Sequence, residues 1–161
     1  MALFQATYHG KLDTKNRVSV PAPYRTQLKL GSANAPLPAN AATPLVIRPS
    51  HRHPCLEVWT ERDFAALAAP LEKLDPFSVE YEDLSLTLFG DAEPMEADKE
   101  GRIVLPAKLI EHAELDQSRQ ISFAGHFRTF QIWDSALLAQ RKLAANKATN
   151  ERDLLRARVI T

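Results

Sequence analysis

The chain has 161 residues, a length that predicts one domain or two small ones at about 150 residues per domain. Its 45% hydrophobic and 25% charged residues are typical of a globular protein and exclude a wholly disordered chain. The single cysteine excludes a scaffold built on internal disulfides. The formal net charge of zero weighs against a nucleic-acid partner, because phosphates attract a basic surface.

The charge is unevenly distributed along the chain. Residues 1–53 hold 7 basic and 1 acidic residue (net +6), residues 54–100 hold 3 and 13 (net −10), and residues 101–161 hold 10 and 6 (net +4). Such asymmetry can give a neutral protein a basic face. Solvated helix faces explain the acidic middle equally well at this point.

An internal repeat organises the chain. Residues 11–22 and 96–107 share the frame D-x-x-x-R, a three-residue segment rich in β-branched residues, and Pro-Ala, at an offset of 85. Residues 56–59 and 130–133 repeat an apolar strand pattern that ends in Trp, at an offset of 74. The eleven extra residues of the first copy are predicted to fall in the Pro/Ala/Asn-rich stretch from Gly31 to Pro44.

Both copies predict the same elements in the same order. In the first copy these are a short segment 4–8, a turn 13–16, a strand 17–20, a helix 22–30 and strands 45–47 and 56–59. In the second copy the short segment is 88–92, the turn 98–101, the first strand 102–105, the helix 107–115, and the last two strands 120–124 and 129–133. Asn16 and Gly101 share a repeat position, and both residue types tolerate a positive φ, which favours a tight turn. Pro21 and Pro106 end the strands and open the helices.

Helical segments follow each copy. Thr60 is predicted to cap a helix with its apolar face on Phe64, Leu67, Leu71 and Leu74, and Pro70 is predicted to kink or break it. A second helix is predicted over 79–89, ending at Gly90. Asp134 is predicted to cap a third helix, and Asn150 a final one over 151–160.

The doubled D-x-x-x-R motif, in register with both aromatic strand ends, resembles the MraZ family of bacterial proteins with two AbrB-like (SpoVT-AbrB) modules. The likeness spans roughly residues 1–145 and includes the motifs at 13–21, 53–56, 88–90, 98–106 and 125–133. The Pro/Ala-rich stretch 32–44 departs from the more compact first module of that family.

The resemblance implies an α+β, mainly β fold. Two swapped-hairpin β-barrel modules would lie in one chain with pseudo-two-fold symmetry and flanking helices. The modules would be 7–59, with the insertion at about 31–44, and 90–133. Connecting helices would span 60–89, and a C-terminal helical segment would span 134–161.

The resemblance also implies a function. It predicts a sequence-specific DNA-binding transcriptional regulator, assembled as a closed ring and acting on repeated promoter elements of the division and cell-wall gene cluster. The partners would be double-stranded DNA and further copies of the chain, with no membrane, small-molecule substrate, cofactor or metal. We see no signal peptide in the sequence and expect a cytoplasmic, nucleoid-associated protein.

The chemistry of the motif indicates roles for its residues. Arginine matches phosphate and can read guanine bidentately, and a two-stranded ribbon fits the major groove. We therefore predict a set of DNA-binding residues: Lys11, Lys15, Arg17, Lys99 and Arg102. Asp13 and Asp98 would repel phosphate, so they are predicted to stabilise the turns by holding arginine or the turn amides. The first turn is favoured for DNA because Glu96 and Glu100 accompany the second, and His9, Arg25 and Lys29 are weaker phosphate candidates.

Two other interpretations compete with DNA binding. The first is a ring-forming interaction scaffold that binds another protein through the acidic middle. The second is an enzyme or metal site at His51, His53 and Cys55, whose spacing suits metal ligands. We favour a loop before a strand with Cys55 as a small buried residue, and we predict no catalytic residues.

Overall fold

The computed structural model describes residues 2–152. Its strands are β1 (Thr7–Lys11), β2 (Arg17–Ser19), β3 (Thr43–Pro49), β4 (Leu56–Trp59), β5 (Glu93–Ala97), β6 (Arg102–Val104), β7 (Gln120–His126) and β8 (Thr129–Asp134). Its helices are α1 (Ala22–Leu30), α2 (Glu61–Ala65), α3 (Ala68–Glu72), α4 (Val79–Ser85), α5 (Ala107–His112) and α6 (Ser135–Arg152), with a π-helical segment at Leu86–Gly90. The predicted α+β class is confirmed.

The strands form an open six-stranded sheet and a separate two-stranded ribbon. The sheet has the order β1-β7-β8-β4-β3-β5, and the ribbon pairs β2 with β6. All neighbours are antiparallel. The repeat makes β1, β2, β3 and β4 equivalent to β5, β6, β7 and β8. When each strand is replaced by its equivalent, the same sheet order is obtained, counted from the opposite edge. The duplication seen in the sequence is therefore also a symmetry of the strand pairing.

Two residue pairs mark the axis of this symmetry. In the ribbon, Val18 lies opposite Ile103, its equivalent at an offset of 85. In the sheet, Glu57 lies opposite Gln131, its equivalent at an offset of 74. Since each pair joins the same position of both copies, an approximate two-fold axis passes through both. The copies therefore meet through β2 with β6 and through β4 with β8.

The core lies between the ribbon and one face of the sheet. Val18 and Ile103 of the ribbon pack in one cluster with Ile47 and Ile121 of the sheet. Tyr24 of α1 is 1% exposed and donates a hydrogen bond of 2.6 Å to the carbonyl of Ala6. A module of this size buries little core alone, and residues of both copies contribute to this shared cluster.

The insertion in the first copy is divided between two loops. Val46 pairs with Trp59 in the first copy, and the equivalent pair in the second is Ser122 with Trp133. Val46 and Ser122 are therefore equivalent, so the offset between β3 and β7 is 76, compared with 74 between β4 and β8. Nine of the eleven extra residues precede β3, as predicted, and two lie in the β3–β4 connection. The prediction that all eleven fall within Gly31–Pro44 is wrong by those two residues.

Several predicted bounds shift in the structure. The helix at 22–30 and the strand at 56–59 are confirmed, whereas the strands that precede the two turns, β1 and β5, lie later than the short segments predicted at 4–8 and 88–92. The helix after Thr60 ends at Ala65, before Pro70 rather than at it. Thr60 caps that helix by accepting from the Asp63 amide at 3.1 Å, as predicted.

The C-terminal helix is longer than predicted. Asp134 caps it by accepting from the Leu137 amide at 3.2 Å, as predicted. The helix passes through Asn150 without a break, so the cap predicted there is wrong. The rest of the predicted final helix, from residue 153 onward, lies outside the described residues. Within α6 only Leu138 is buried, and Leu143 is 72% exposed.

Candidate nucleic-acid interface

The first D-x-x-x-R turn is built around the Asp13 carboxylate. One oxygen accepts from the backbone amides of Lys15 at 2.9 Å and Arg17 at 2.8 Å, and the other accepts from Arg17 Nε at 2.7 Å. Asn16 has φ of 60°, the left-handed region that asparagine tolerates. Asp13 therefore orders the turn amides and the Arg17 side chain together.

The second turn repeats this arrangement. Asp98 accepts from the amides of Glu100 at 3.0 Å and Arg102 at 2.8 Å, and from Arg102 Nε at 3.1 Å. Gly101 has φ of 81° at the position of Asn16. In each turn the aspartate carboxylate therefore holds Nε of the arginine.

The two turns differ in the charge around the arginine. Glu100 occupies the position of Lys15, and its carboxylate lies 3.4 Å from a terminal nitrogen of Arg102. Among residues 2–152, Arg17 has no such second carboxylate partner. The first turn is thus more basic than the second.

Both aspartates are stabilised as carboxylates. The backbone amide of Arg17 is the main cause that lowers the pKa of Asp13 below 3.8, and the Arg17 side chain adds to it. The Arg102 amide lowers the pKa of Asp98 in the same way. At neutral pH both turns therefore hold ionised aspartate against arginine.

The ribbon brings the two arginines onto one face. Arg17 lies opposite Val104, and Ser19 lies opposite Arg102. Since directly opposed residues of antiparallel strands point the same way, these four side chains share one face. Val18 and Ile103 take the other face, in the core. We call the four-residue face the ribbon face.

The ribbon face is open to solvent. The side chains of Arg17 and Arg102 are 30% and 34% exposed, and Val104 is 60% exposed. The arginines occupy diagonal corners, a relation that places them about 7–8 Å apart. Ser19 and Val104 occupy the other two corners.

An arginine from the second copy supports the first turn. Arg119 donates to the carbonyls of Leu12 and Asp13 and, at 3.0 Å, to Asn16 Oδ1. Arg119 also forms a 2.6 Å ion pair with Asp116. This role of Arg119 could not be predicted from the sequence, since no local pattern links the residue to a turn over a hundred residues earlier.

An arginine from the first copy supports the second turn. Arg25 donates from Nε to the Val20 carbonyl at 3.1 Å, and a Cβ added to Gly101 would lie 2.6 Å from the same nitrogen. The structure thus places Arg25, a weaker phosphate candidate, against the second turn. Each turn also accepts a backbone hydrogen bond from the opposite copy: the Val20 amide donates to the Gly101 carbonyl at 2.7 Å, and the Leu105 amide donates to the Asn16 carbonyl at 2.8 Å.

The three predicted lysines lie around these turns. Lys11 ends β1 opposite Gln120, and Lys15 and Lys99 lie within the turns. All three are exposed. The seven predicted site residues thus fall in two clusters, one at each end of the short ribbon.

The His51, His53 and Cys55 cluster has another explanation. The ring of His51 contacts the Arg48 guanidinium and the Thr87 carbonyl. Cys55 is fully buried, and burial raises the pKa of its thiol to about 12. Within residues 2–152 no group of three His, Cys, Asp or Glu side chains is arranged to hold a metal ion. Cys55 is a small buried residue, as predicted.

The described part of the chain contains no helix that is both long and apolar enough to cross a membrane. This includes α6, whose 18 residues carry several charges.

Comparison with known proteins gives the family. The family model of MraZ protein, which carries an antitoxin-like description, matches residues 3–85 and 88–156. The transcriptional regulator MraZ of Gluconobacter oxydans is 48% identical over 146 residues, 90% of this chain and 84% of the relative. That of Gluconacetobacter diazotrophicus is 45% identical over 151 residues, 94% and 90% of the two chains.

More distant relatives share the same name. The transcriptional regulator MraZ of Rickettsia rickettsii is 34% identical over 154 residues, 96% of both chains. These names describe regulators and not enzymes. The family model covers the two D-x-x-x-R turns, and the chain belongs to the MraZ family.

Proposed function

We propose that the protein is a sequence-specific DNA-binding transcriptional regulator whose ribbon face enters the major groove. The observation that carries the proposal is the pair Arg17 and Arg102, set on one solvent face with each Nε held by an aspartate. A bidentate contact to guanine needs two nitrogens of a correctly oriented guanidinium. The Asp–Arg bonds supply that orientation before DNA arrives, which lowers the entropy lost on binding.

The surrounding lysines serve a different purpose. Lys11, Lys15 and Lys99 are exposed beside the turns and would contact phosphates. Such contacts position the protein and make binding sensitive to salt, while base contacts supply specificity. The site residues are therefore Lys11, Lys15, Arg17, Lys99 and Arg102 for DNA, with Asp13 and Asp98 stabilising the turns.

We assign the two modules to residues 7–59 and 90–133 and infer that they form one swapped-hairpin, AbrB-like unit. This assignment is supported by the exchange of β2 with β6 and by the symmetric sheet order. The helices at 60–89 connect the modules, and the segment from 134 to 161 follows the second.

The proposal includes assembly into a closed ring. Residues 74–98 hold eight acidic and no basic residues, and beside them Phe77 is 96% and Val79 69% exposed. Helix α6 presents the opposite charge through its exposed basic residues, Arg141, Lys142 and Lys147. Two complementary surfaces at different places on one chain favour head-to-tail contacts, which close into rings when the rotation permits.

A ring accounts for DNA binding by a neutral chain. Each subunit would bring one ribbon face, and after the first contact the others become intramolecular. We therefore expect the target to contain repeated elements, at the promoter of the division and cell-wall gene cluster, and the protein to work in the cytoplasm at the nucleoid.

The test compares Arg17→Ala with Arg52→Ala, an equal change of charge in the exposed β3–β4 connection. Fluorescence anisotropy on the protein's own upstream DNA, with footprinting, measures binding, and a sizing column measures assembly. We expect Arg17→Ala to lose about tenfold or more in affinity at unchanged size. The control should bind within about twofold of wild type.

The competing scaffold hypothesis predicts a different result. A protein-interaction scaffold would elute as the same ring, yet neither arginine substitution would alter its retention on DNA. Protection of short, regularly spaced elements that disappears with added salt supports the regulator. Equal binding to random DNA at every salt concentration would contradict it.

A further inference from the structure

The backbone of the ribbon face is approximately two-fold symmetric, but its side chains are not. Arg17 and Arg102 are equivalent positions and carry the same residue. Ser19 and Val104 are also equivalent, at the offset of 85, yet one is a small hydroxyl residue and the other an apolar one. The approximate two-fold axis through Val18 and Ile103 exchanges these two corners. A DNA segment lying across the ribbon would therefore meet different chemistry at its two ends.

Val104 is the apolar residue of the ribbon face. At 60% exposure it stands among arginines on the outer side of a three-residue strand, while the valine and isoleucine on the inner side are buried. The equivalent position in the first copy has Ser19. Val104 offers two methyl groups to whatever approaches the ribbon face.

The spacing of the face matches that of base pairs. Two residues along a strand span about 6.5–7 Å, close to two base-pair steps of about 3.4 Å each. An arginine and its neighbour at i+2 on the same strand would therefore meet base pairs about two steps apart. In the major groove the one apolar feature of a base edge is the 5-methyl group of thymine, which aliphatic side chains contact.

Resting on the proposed DNA binding, we propose that Ser19 and Val104 are specificity-determining residues: Val104 contacts a thymine 5-methyl group, and Ser19 contacts a hydrogen-bonding base edge. The pair makes each recognised element asymmetric and sets the direction in which a subunit lies on DNA. The arginines alone would read a palindromic element, because the axis relates them to each other.

The test begins with selection from a library of duplexes with a random central region, by wild type and by Val104→Ser. This substitution makes the four corners two-fold symmetric. We expect wild type to select an asymmetric element that contains a defined thymine. We expect Val104→Ser to select an element that is more nearly palindromic and has lost that thymine.

A chemical substitution then isolates the methyl group. In the duplex selected by wild type, each thymidine is replaced in turn by deoxyuridine, which lacks only the 5-methyl. One replacement per element should weaken wild-type binding about fourfold, the ratio expected for one buried methyl group. The same replacement should leave the binding of Val104→Ser unchanged. Val104→Ala provides a second variant, and thermal unfolding checks that both are folded.

The outcomes separate the two proposals. If wild type selects an element but no deoxyuridine affects it, or the effect persists in both Val104 variants, the role of Val104 is wrong and DNA binding stands. If the Val104 variants change the size of the assembly instead, the residue belongs to a subunit contact and the inference fails. If wild type selects nothing and binds DNA without preference, both proposals fail.

Discussion

Val18 and Ile103, equivalent residues of the two copies, lie directly opposite each other across the ribbon and are 1% and 3% exposed. Their side chains close the core from the ribbon side, while the arginines next to them face solvent. One short pair of strands thus joins the copies and displays the candidate interface. We therefore expect stability and the proposed DNA binding to be altered separately by substitutions on its two faces.

Truncation of the inner face should destabilise the whole protein. Ile103→Ala removes a buried side chain and leaves a cavity between the ribbon and the sheet. We expect the free energy of unfolding to fall by about 2–5 kcal/mol, measured by urea denaturation. The adjacent Val104→Ala should change it by less than about 1 kcal/mol, because that side chain is 60% exposed. Equal losses in both variants would show that the ribbon does not close the core.

The glycine of the second turn should not tolerate a side chain. Gly101 has φ of 81°, and an added Cβ would lie 2.6 Å from Arg25 Nε. We expect Gly101→Ala to cost about 1–2 kcal/mol of stability from backbone strain, and more from displacing Arg25. Gly90→Ala is the control, since the nearest side-chain atom to its Cβ would lie 3.8 Å away. Equal thermal unfolding temperatures for the two variants would contradict the argument.

Some of this structure could be predicted from local sequence. Asn16 and Gly101 signal a positive φ at the same repeat position, and both have one. Helix α1 begins after Pro21 and ends at Leu30, as predicted, since proline suits a helix start. The motif spacing also indicated that the aspartates act within their own turns.

The remainder depends on contacts that a local pattern does not contain. The pairing of Arg17 with Val104 joins residues far apart in sequence, and nothing in either segment specifies its partner. Arg119 reaches the first turn over a similar separation. The ribbon face, and with it the diagonal arrangement of the arginines, therefore emerges only when the two copies are assembled.

Replacing Glu100 should strengthen DNA binding. Glu100 stands where the first turn has Lys15 and lies 3.4 Å from the Arg102 guanidinium. Glu100→Lys removes a carboxylate that would repel phosphate and adds a cation. We expect higher affinity at low salt and a log–log salt slope steeper by about 0.9. Glu72→Lys, the same change of charge on α3, should give a smaller effect. An equal gain in both variants would indicate net charge rather than the turn.

Asp13 and Asp98 should titrate at a lower pH than an ordinary aspartate. Hydrogen bonds from the Arg17 amide lower the pKa of Asp13, so the folded state prefers the carboxylate. Its stabilising effect is present above 3.8 and is lost as the pH falls through the lower, folded pKa. We expect DNA affinity to show no dependence on this group near neutral pH. Carboxyl carbon chemical shifts, followed by NMR between about pH 2 and 6, would measure the midpoint.

Substitution of Arg17 separates the effect of its backbone amide on the pKa of Asp13 from the effect of its side chain. In Arg17→Gln the amide of residue 17 remains, and this amide is the largest cause of the lowered pKa. The midpoint of the Asp13 titration should rise only part of the way toward 3.8. A full return to that value would mean that the guanidinium, and not the turn amide, stabilises the carboxylate. Asp98, whose own arginine is unchanged, is the internal reference.

The Cys55 thiol should not react with alkylating reagents while the protein is folded. The residue is fully buried, and burial raises the pKa of its thiol to about 12, so at pH 8 the thiolate is scarce. We expect iodoacetamide to label it at the rate at which the native state opens, and to label it rapidly in denaturant. The Cys55→Ala variant gives the background for mass spectrometry and should retain DNA binding. Fast labelling of the native protein would instead favour the enzyme interpretation of His51, His53 and Cys55, because an activated thiolate needs both exposure and a lowered pKa.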